Sequence, residues 1–176
     1  SAANFSRANR EYLSISDNSA LSVGDSDFTI AFWLRGDSIP TSQGYYPLAK
    51  RSDYSEYLLH WSDVTNEMEF TIFNGTSNIN AIGSVSASSF GPLDADVWYY
   101  IVAWHDAGED RVYIQVNNGA VDTNRTNGVP ADTAGVFALG AIDGGVAPWE
   151  GHVVILSYLI GADRARGSQG VGTARV

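Results

Sequence analysis

A chain of 176 residues with 44% hydrophobic and 12% aromatic residues can bury a core of its own as one domain, which excludes a wholly disordered polymer. Twenty acidic against ten basic residues give a net charge of −10, which repels phosphate backbones and anionic lipid and so argues against nucleic acid and membranes as partners. Cysteine is absent, ruling out a disulfide framework or thiolate metal site; with 17% charged residues and 18 glycines, the composition favours an all-β domain over a helical bundle.

No apolar run approaches the roughly 18–20 residues of a membrane span, which argues against membrane insertion. No basic-then-apolar leader opens the sequence, and the start Ser1-Ala2-Ala3 fits a trimmed initiator methionine, a cleaved leader or an added stretch equally.

Strands are predicted in chain order by alternation and by the Gly, Asn, Asp and Pro clusters that separate them. EYLSI (Glu11 to Ile15) is followed by FTIAFWLR (Phe28 to Arg35), in which Phe28, Ile30, Phe32 and Leu34 share one face. YPLAKR (Tyr46 to Arg51) and EYLLHW (Glu56 to Trp61) come next, then EMEFTIF (Glu67 to Phe73), with Met68, Phe70 and Ile72 on one side, and NAIGSV (Asn80 to Val85). WYYIVAWH (Trp98 to His105) is apolar or aromatic on both faces, as a strand covered by two layers would be. RVYIQV (Arg111 to Val116) runs into Asn117-Asn118-Gly119, a hairpin turn because Asn and Gly tolerate positive φ, and AVDTN returns. VFALG (Val136 to Gly140) and HVVILSYLI (His152 to Ile160) complete the series.

Ten or eleven short strands without a sustained helical period imply an all-β fold, a two-sheet antiparallel β-sandwich of jelly-roll type. It forms a single domain over residues 1–166, with a short helical turn at Asp163 to Arg166 and a polar C-terminal tail over residues 167–176. The core is expected to hold Phe28, Ile30, Phe32, Val102, Ile114 and Val116, together with Trp33 and Trp98.

The order of these pieces resembles the laminin G-like, concanavalin A-like jelly-roll family. The motifs that carry the resemblance are Phe5 followed by EYLSISDNSAL, then FTIAFWLR, PLAKR, VWYYIVAWHDAGEDRVYIQVNNG, VFALGAIDGG and WEGHVVILSYLIG, over about residues 4 to 163. The family's usual Ile-Asp-Glu after the aromatic-x-Gly is here Val153-Val154-Ile155, so an acidic group often placed there is missing. The resemblance implies the fold, and a family that includes carbohydrate-binding modules, adhesion domains, domains attached to secreted enzymes and surface domains of viruses. Fold alone does not choose among them.

Glu67 and Glu69 share one strand face, as paired acid/base chemistry requires, but Thr71 stands where related-fold glycoside hydrolases carry a further acid, and a solvated face is the expectation. His60, His105 and His152 show neither metal-ligand spacing nor a neighbouring nucleophile. Hard cations take carboxylate and carbonyl oxygens from loops; a structural calcium, if bound, is expected on Asp17, Asp25, Asp27 and Asp143. Sugar rings stack their C–H faces on aromatic rings, and loops and strand ends offer Tyr45, Tyr46, Trp104 and, as the chosen ligand-binding set, Tyr54, Trp61 and Trp149. The leading reading is a non-catalytic binding or adhesion module with carbohydrate as its ligand, extracellular or on the surface of a virus particle. The alternative is a structural surface or decoration domain of a virus particle or other assembly, with particle proteins or further copies of the chain as partners. A glycoside hydrolase comes third.

Overall fold

The computed structural model describes residues 2–51, 55–76 and 81–160, and within them every side chain except those of Asp143, Leu156, Tyr158, Leu159 and Ile160. Twelve strands are present among the described residues: β1 (Ala3–Phe5), β2 (Leu13–Ile15), β3 (Phe28–Gly36), β4 (Tyr45–Arg51), β5 (Ser55–Trp61), β6 (Met68–Phe73), β7 (Ala81–Ser86), β8 (Tyr99–Asp106), β9 (Arg111–Val116), β10 (Val121–Arg125), β11 (Val136–Leu139) and β12 (Gly151–Ile160). The expected strands recur within one or two residues of their predicted ends, and β1 is the one that alternation did not announce. It is three residues long, with Phe5 alone buried. The helical turn expected at residues 163–166 and the tail over residues 167–176 lie outside the described residues.

The strands form two six-stranded antiparallel sheets, in the order β1-β12-β3-β8-β9-β10 and β2-β11-β4-β5-β6-β7. This is the two-sheet sandwich that the alternation implies: the longer strands turn one apolar face toward the opposing sheet. Phe28, Ile30, Phe32 and Leu34 of β3 meet Tyr57, Leu59 and Trp61 of β5 and Met68, Phe70 and Ile72 of β6 in one core, with Val112, Ile114 and Val116 of β9. Phe28 packs on Tyr57 at 5.3 Å and edge-on to Phe70 at 5.9 Å between centroids. The β9–β10 hairpin turns as its sequence requires, with Asn117 at φ 51° and Asn118 at φ 55°.

Val102 does not join the core. Strand β8 is apolar on both faces, so alternation gave it no phase; its register against β3 sets one, pairing Phe32 with Ile101 and Ile30 with Ala103. Tyr99, Ile101 and Ala103 therefore point inward, and Val102 lies half-buried on the outer face between Tyr100 and Trp104. Trp33 and Trp98 are also outside, each 39% exposed. A two-layer sandwich has no third layer to cover them.

Candidate functional site

The outer face of the β3–β8–β9 sheet carries four aromatic residues that the core does not use. Trp33 on β3 stands directly across from Tyr100 on β8, with ring centroids 5.4 Å apart and planes tilted by 38°. Trp104 on β8 stands directly across from Tyr113 on β9, and these rings stack almost parallel, 4.8 Å apart at 3°. Between the two pairs a single cross-strand row holds Ala31, Val102 and Gln115, with Val121 opposite Gln115 on β10. Hydrogen-bonding groups are interleaved with the rings. Gln115 Nε2 donates to Gly119 O at 2.7 Å, and Arg111 Nη1 reaches Thr123 Oγ1 at 3.4 Å. Tyr113 donates its hydroxyl to Glu109 Oε2, and that bond to a carboxylate pushes the phenol's pKa up, so the ring stays neutral. At the other end Trp98 lies 5.9 Å from the His152 ring, and Arg35 is held by Asp37 at 2.9 Å and Asp96 at 3.0 Å.

The residues chosen from the sequence lie elsewhere. Trp61 and Trp149 are fully buried and pack on each other at 5.8 Å, so neither can stack on a ligand. Trp61 follows Tyr57 and Leu59 on the inward face of a strand flanked on both sides, and its indole N–H is satisfied by Asn66, through Oδ1 at 2.6 Å and the backbone O at 3.0 Å. Trp149 is drawn under the sandwich end by its backbone N–H, which donates to Gly140 O at 2.7 Å. Tyr45 is buried as well, with Arg7 4.5 Å above its ring. Tyr54 lies outside the described residues.

The acidic residues are distributed differently from the expected ligand set. Asp17 is brought to Glu56 and Asp132, with one carboxylate oxygen of each within 4.8 Å of the others. A cation already stands there: Lys50, fully buried, pairs with Asp17 Oδ1 at 2.8 Å and with Glu56 Oε1, and donates to Thr133 O at 3.0 Å. The Lys50 hydrogen bond holds Asp17 below the usual carboxylate range, while burial pushes Glu56 up against the pull of Lys50 and Thr133. Asp27 Oδ1 accepts from the Ala107 backbone N–H at 2.8 Å, Asp25 is exposed, and the side chain of Asp143 is outside the description. Neither Asp25 nor Asp27 joins a group of three potential ligands among the described residues. Glu69 Oε1 accepts from Thr71 Oγ1 at 3.1 Å and from Ser84 Oγ, which engages this carboxylate with its own sheet.

A family model described as the concanavalin A-like lectin/glucanases superfamily matches residues 7–155. The chain belongs to this superfamily. A comparison of the sequence with curated proteins found no match. This concanavalin A-like domain is similar in fold to the binding domain of Paraclostridial Mosquitocidal Protein 1, with 14% identity, a TM-score of 0.63, and 84% of this chain and 37% of that chain covered. It is likewise similar to the binding domain of botulinum neurotoxin DC in complex with SialylT (12% identity, TM-score 0.58, 85% and 35% covered). A third is the CBM40 of the Ruminococcus gnavus IT-sialidase bound to alpha2,3 sialyllactose (11% identity, TM-score 0.56, 82% and 89% covered). The domain thus spans little more than a third of the first two structures, and at these identities the likeness is one of fold.

Of this outer aromatic face the sequence offered Trp104; Trp33, Tyr100 and Tyr113 were missed because they sit on strands whose other face is core. The signal was nevertheless present. In a two-layer sandwich a strand can bury one face only, so the second apolar face of WYYIVAWH had to be solvent-facing.

Proposed function

We propose that this concanavalin A-like domain is a non-catalytic glycan-binding module of an extracellular or cell-surface protein, and that it binds through the outer face of β3, β8 and β9. The observation that carries the reading is the stacked Trp104–Tyr113 pair beside Trp33–Tyr100 on one solvent-facing sheet. Rigid aromatic faces with interleaved Gln, Thr and Arg donors are what sugar C–H faces and hydroxyls require. Membership of a lectin-containing superfamily and the sialyllactose-bound neighbour support it. Engagement of Glu69 by Thr71 and Ser84 supports a binding role over a hydrolytic one. A structural calcium on Asp17, Asp25, Asp27 and Asp143 remains a separate proposal, tested by the melting temperature in excess chelator. The glycan reading is tested by a glycan array followed by titration calorimetry: binding is expected for the native domain and is lost in Trp104→Ala with its melting curve retained.

One observation favours a second reading, a surface domain of a particle or other assembly. Strand β2 is a sheet edge with Leu13 56% and Ile15 47% exposed, and such an edge is commonly covered by a neighbour. The mass in solution at rising concentration separates the two.

A further inference from the structure

The two aromatic pairs on the outer face are separate platforms. Tyr100 and Trp104 are four residues apart on β8, which at strand rise is about 13 Å. The row between them carries the short side chains of Ala31 and Val102, so the face steps down between two raised rings and up again. One sugar ring cannot reach both platforms, but a chain of rings laid along β8 can.

The charges around the platforms select the chemistry of that chain. Arg35, at the Trp33 end, is neutralised by Asp37 and Asp96. Arg111 and Arg125, opposite each other at the Trp104 end, share it with Asp106, Glu109 and Asp110, so acids outnumber bases there. The whole chain carries a net charge of −10. A carboxylate or sulfate on a sugar meets no net positive field on this face, whereas a neutral sugar loses nothing there. A protein partner would require a dry apolar centre, yet Gln115 and Thr123 lie among the rings.

We propose that this face binds a neutral, linear oligosaccharide along β8, one ring on Trp33–Tyr100 and another on Trp104–Tyr113. The inference rests on the glycan-binding reading and adds to it the charge, the shape and the minimum length of the ligand. Joining two weak contacts in one molecule makes the second intramolecular, so affinity must climb with chain length until both platforms are spanned and then level off.

The test is calorimetric titration with cello-, malto- and xylo-oligosaccharides from single sugars to hexamers, with sialyllactose and an oligogalacturonide as acidic probes. In at least one neutral series the longer members should bind about tenfold or more tightly than the single sugar, with little change on adding salt. Trp33→Ala and Trp104→Ala should each reduce the long members to single-platform affinity. Val102→Arg, which raises a long side chain between intact platforms, should flatten the length dependence. Melting curves verify that each surface variant is folded. Binding that is independent of length overturns the two-platform ligand and leaves the glycan reading standing. Preference for the acidic probes, or loss of affinity with salt, overturns the neutral class alone. No binding of any probe overturns both, as does a dimer that Trp104→Ala dissolves.

Discussion

Trp61 lies across Gly36: a Cβ added to that glycine would stand 2.2 Å from Cζ3 of the indole. Both residues sit where β3 and β5 face each other at one end of the sandwich, and the indole is rigid, so it cannot fold away. Gly36→Ala is therefore expected to destabilise by overpacking, by about 1–3 kcal/mol. Trp61→Leu should relieve the clash, so that the double variant loses less than the two single losses added together. Urea unfolding of the three variants measures the coupling.

The two buried tryptophans should differ in what they need. The Trp61 N–H donates to Asn66, whereas the Trp149 indole nitrogen is buried without a hydrogen-bond partner among the described residues. Phenylalanine leaves a similar cavity at either place. At position 61 it also takes the indole N–H away from Asn66 Oδ1, while the Asn66 backbone oxygen keeps the Leu93 N–H at 2.8 Å, and at position 149 it removes a donor without a partner among the described residues. Trp61→Phe should consequently cost more than Trp149→Phe by about 1–3 kcal/mol. Equal losses would show that the cavity alone decides.

Lys50 and Glu56 form a buried pair that ties β4 and β5 to Thr133, whose N–H at 2.9 Å and hydroxyl at 2.8 Å both donate to Glu56 Oε1. Lys50→Met strands a buried carboxylate and is expected to cost about 3–5 kcal/mol at neutral pH. A carboxyl whose folded pKa is raised destabilises above that pKa and is relieved as pH falls through it, so the loss should shrink in acid. Adding Glu56→Gln, which keeps an acceptor for Thr133, should recover most of the stability at neutral pH. A loss in Lys50→Met that is constant with pH would assign it to packing rather than charge.

The contrast between fold and site follows from what alternation encodes. Along β3 and β9 every second residue is apolar, so Phe28, Ile30, Phe32, Ile114 and Val116 could be placed inward from the sequence. Along β8 both faces are apolar, and only pairing with β3 reveals that Ile101, not Val102, is inside. Residue type misled in the same way. Trp61 ends a strand and Trp149 lies in a loop, positions that read as exposed, yet Asn66 and Gly36 make room and hydrogen bonds for one, and Gly140 anchors the other. Trp33 and Trp98 fall in predicted strands, positions that read as core, yet both lie outside. Partners such as Tyr113 for Trp104, or Glu56 for Lys50, depend on strand register, which single-chain periodicity does not specify.

His60 provides a prediction in pH. It stands across from Glu69 on β6 and stacks on Tyr46 of β4 at 5.4 Å, with its Nδ1 buried and without a partner among the described residues. Burial lowers its pKa, against the opposing pull of Glu69 and of Asp63 in the β5–β6 turn. In the unfolded chain a histidine titrates near about 6.5. Between the depressed folded value and that value the unfolded chain holds more protons than the folded one, so stability rises with pH across this window. The contribution is fully present above about pH 6.5 and is lost as pH falls through the folded pKa. His60→Gln has no such titration. The stability of the native protein relative to His60→Gln should therefore decline on acidification from about pH 7.5 to about pH 5.5. Thermal melts of the two proteins across that range measure it. A native protein that instead gains on the variant in acid would show that the attraction of Glu69 and Asp63 for the imidazolium outweighs burial, reversing the assigned sign.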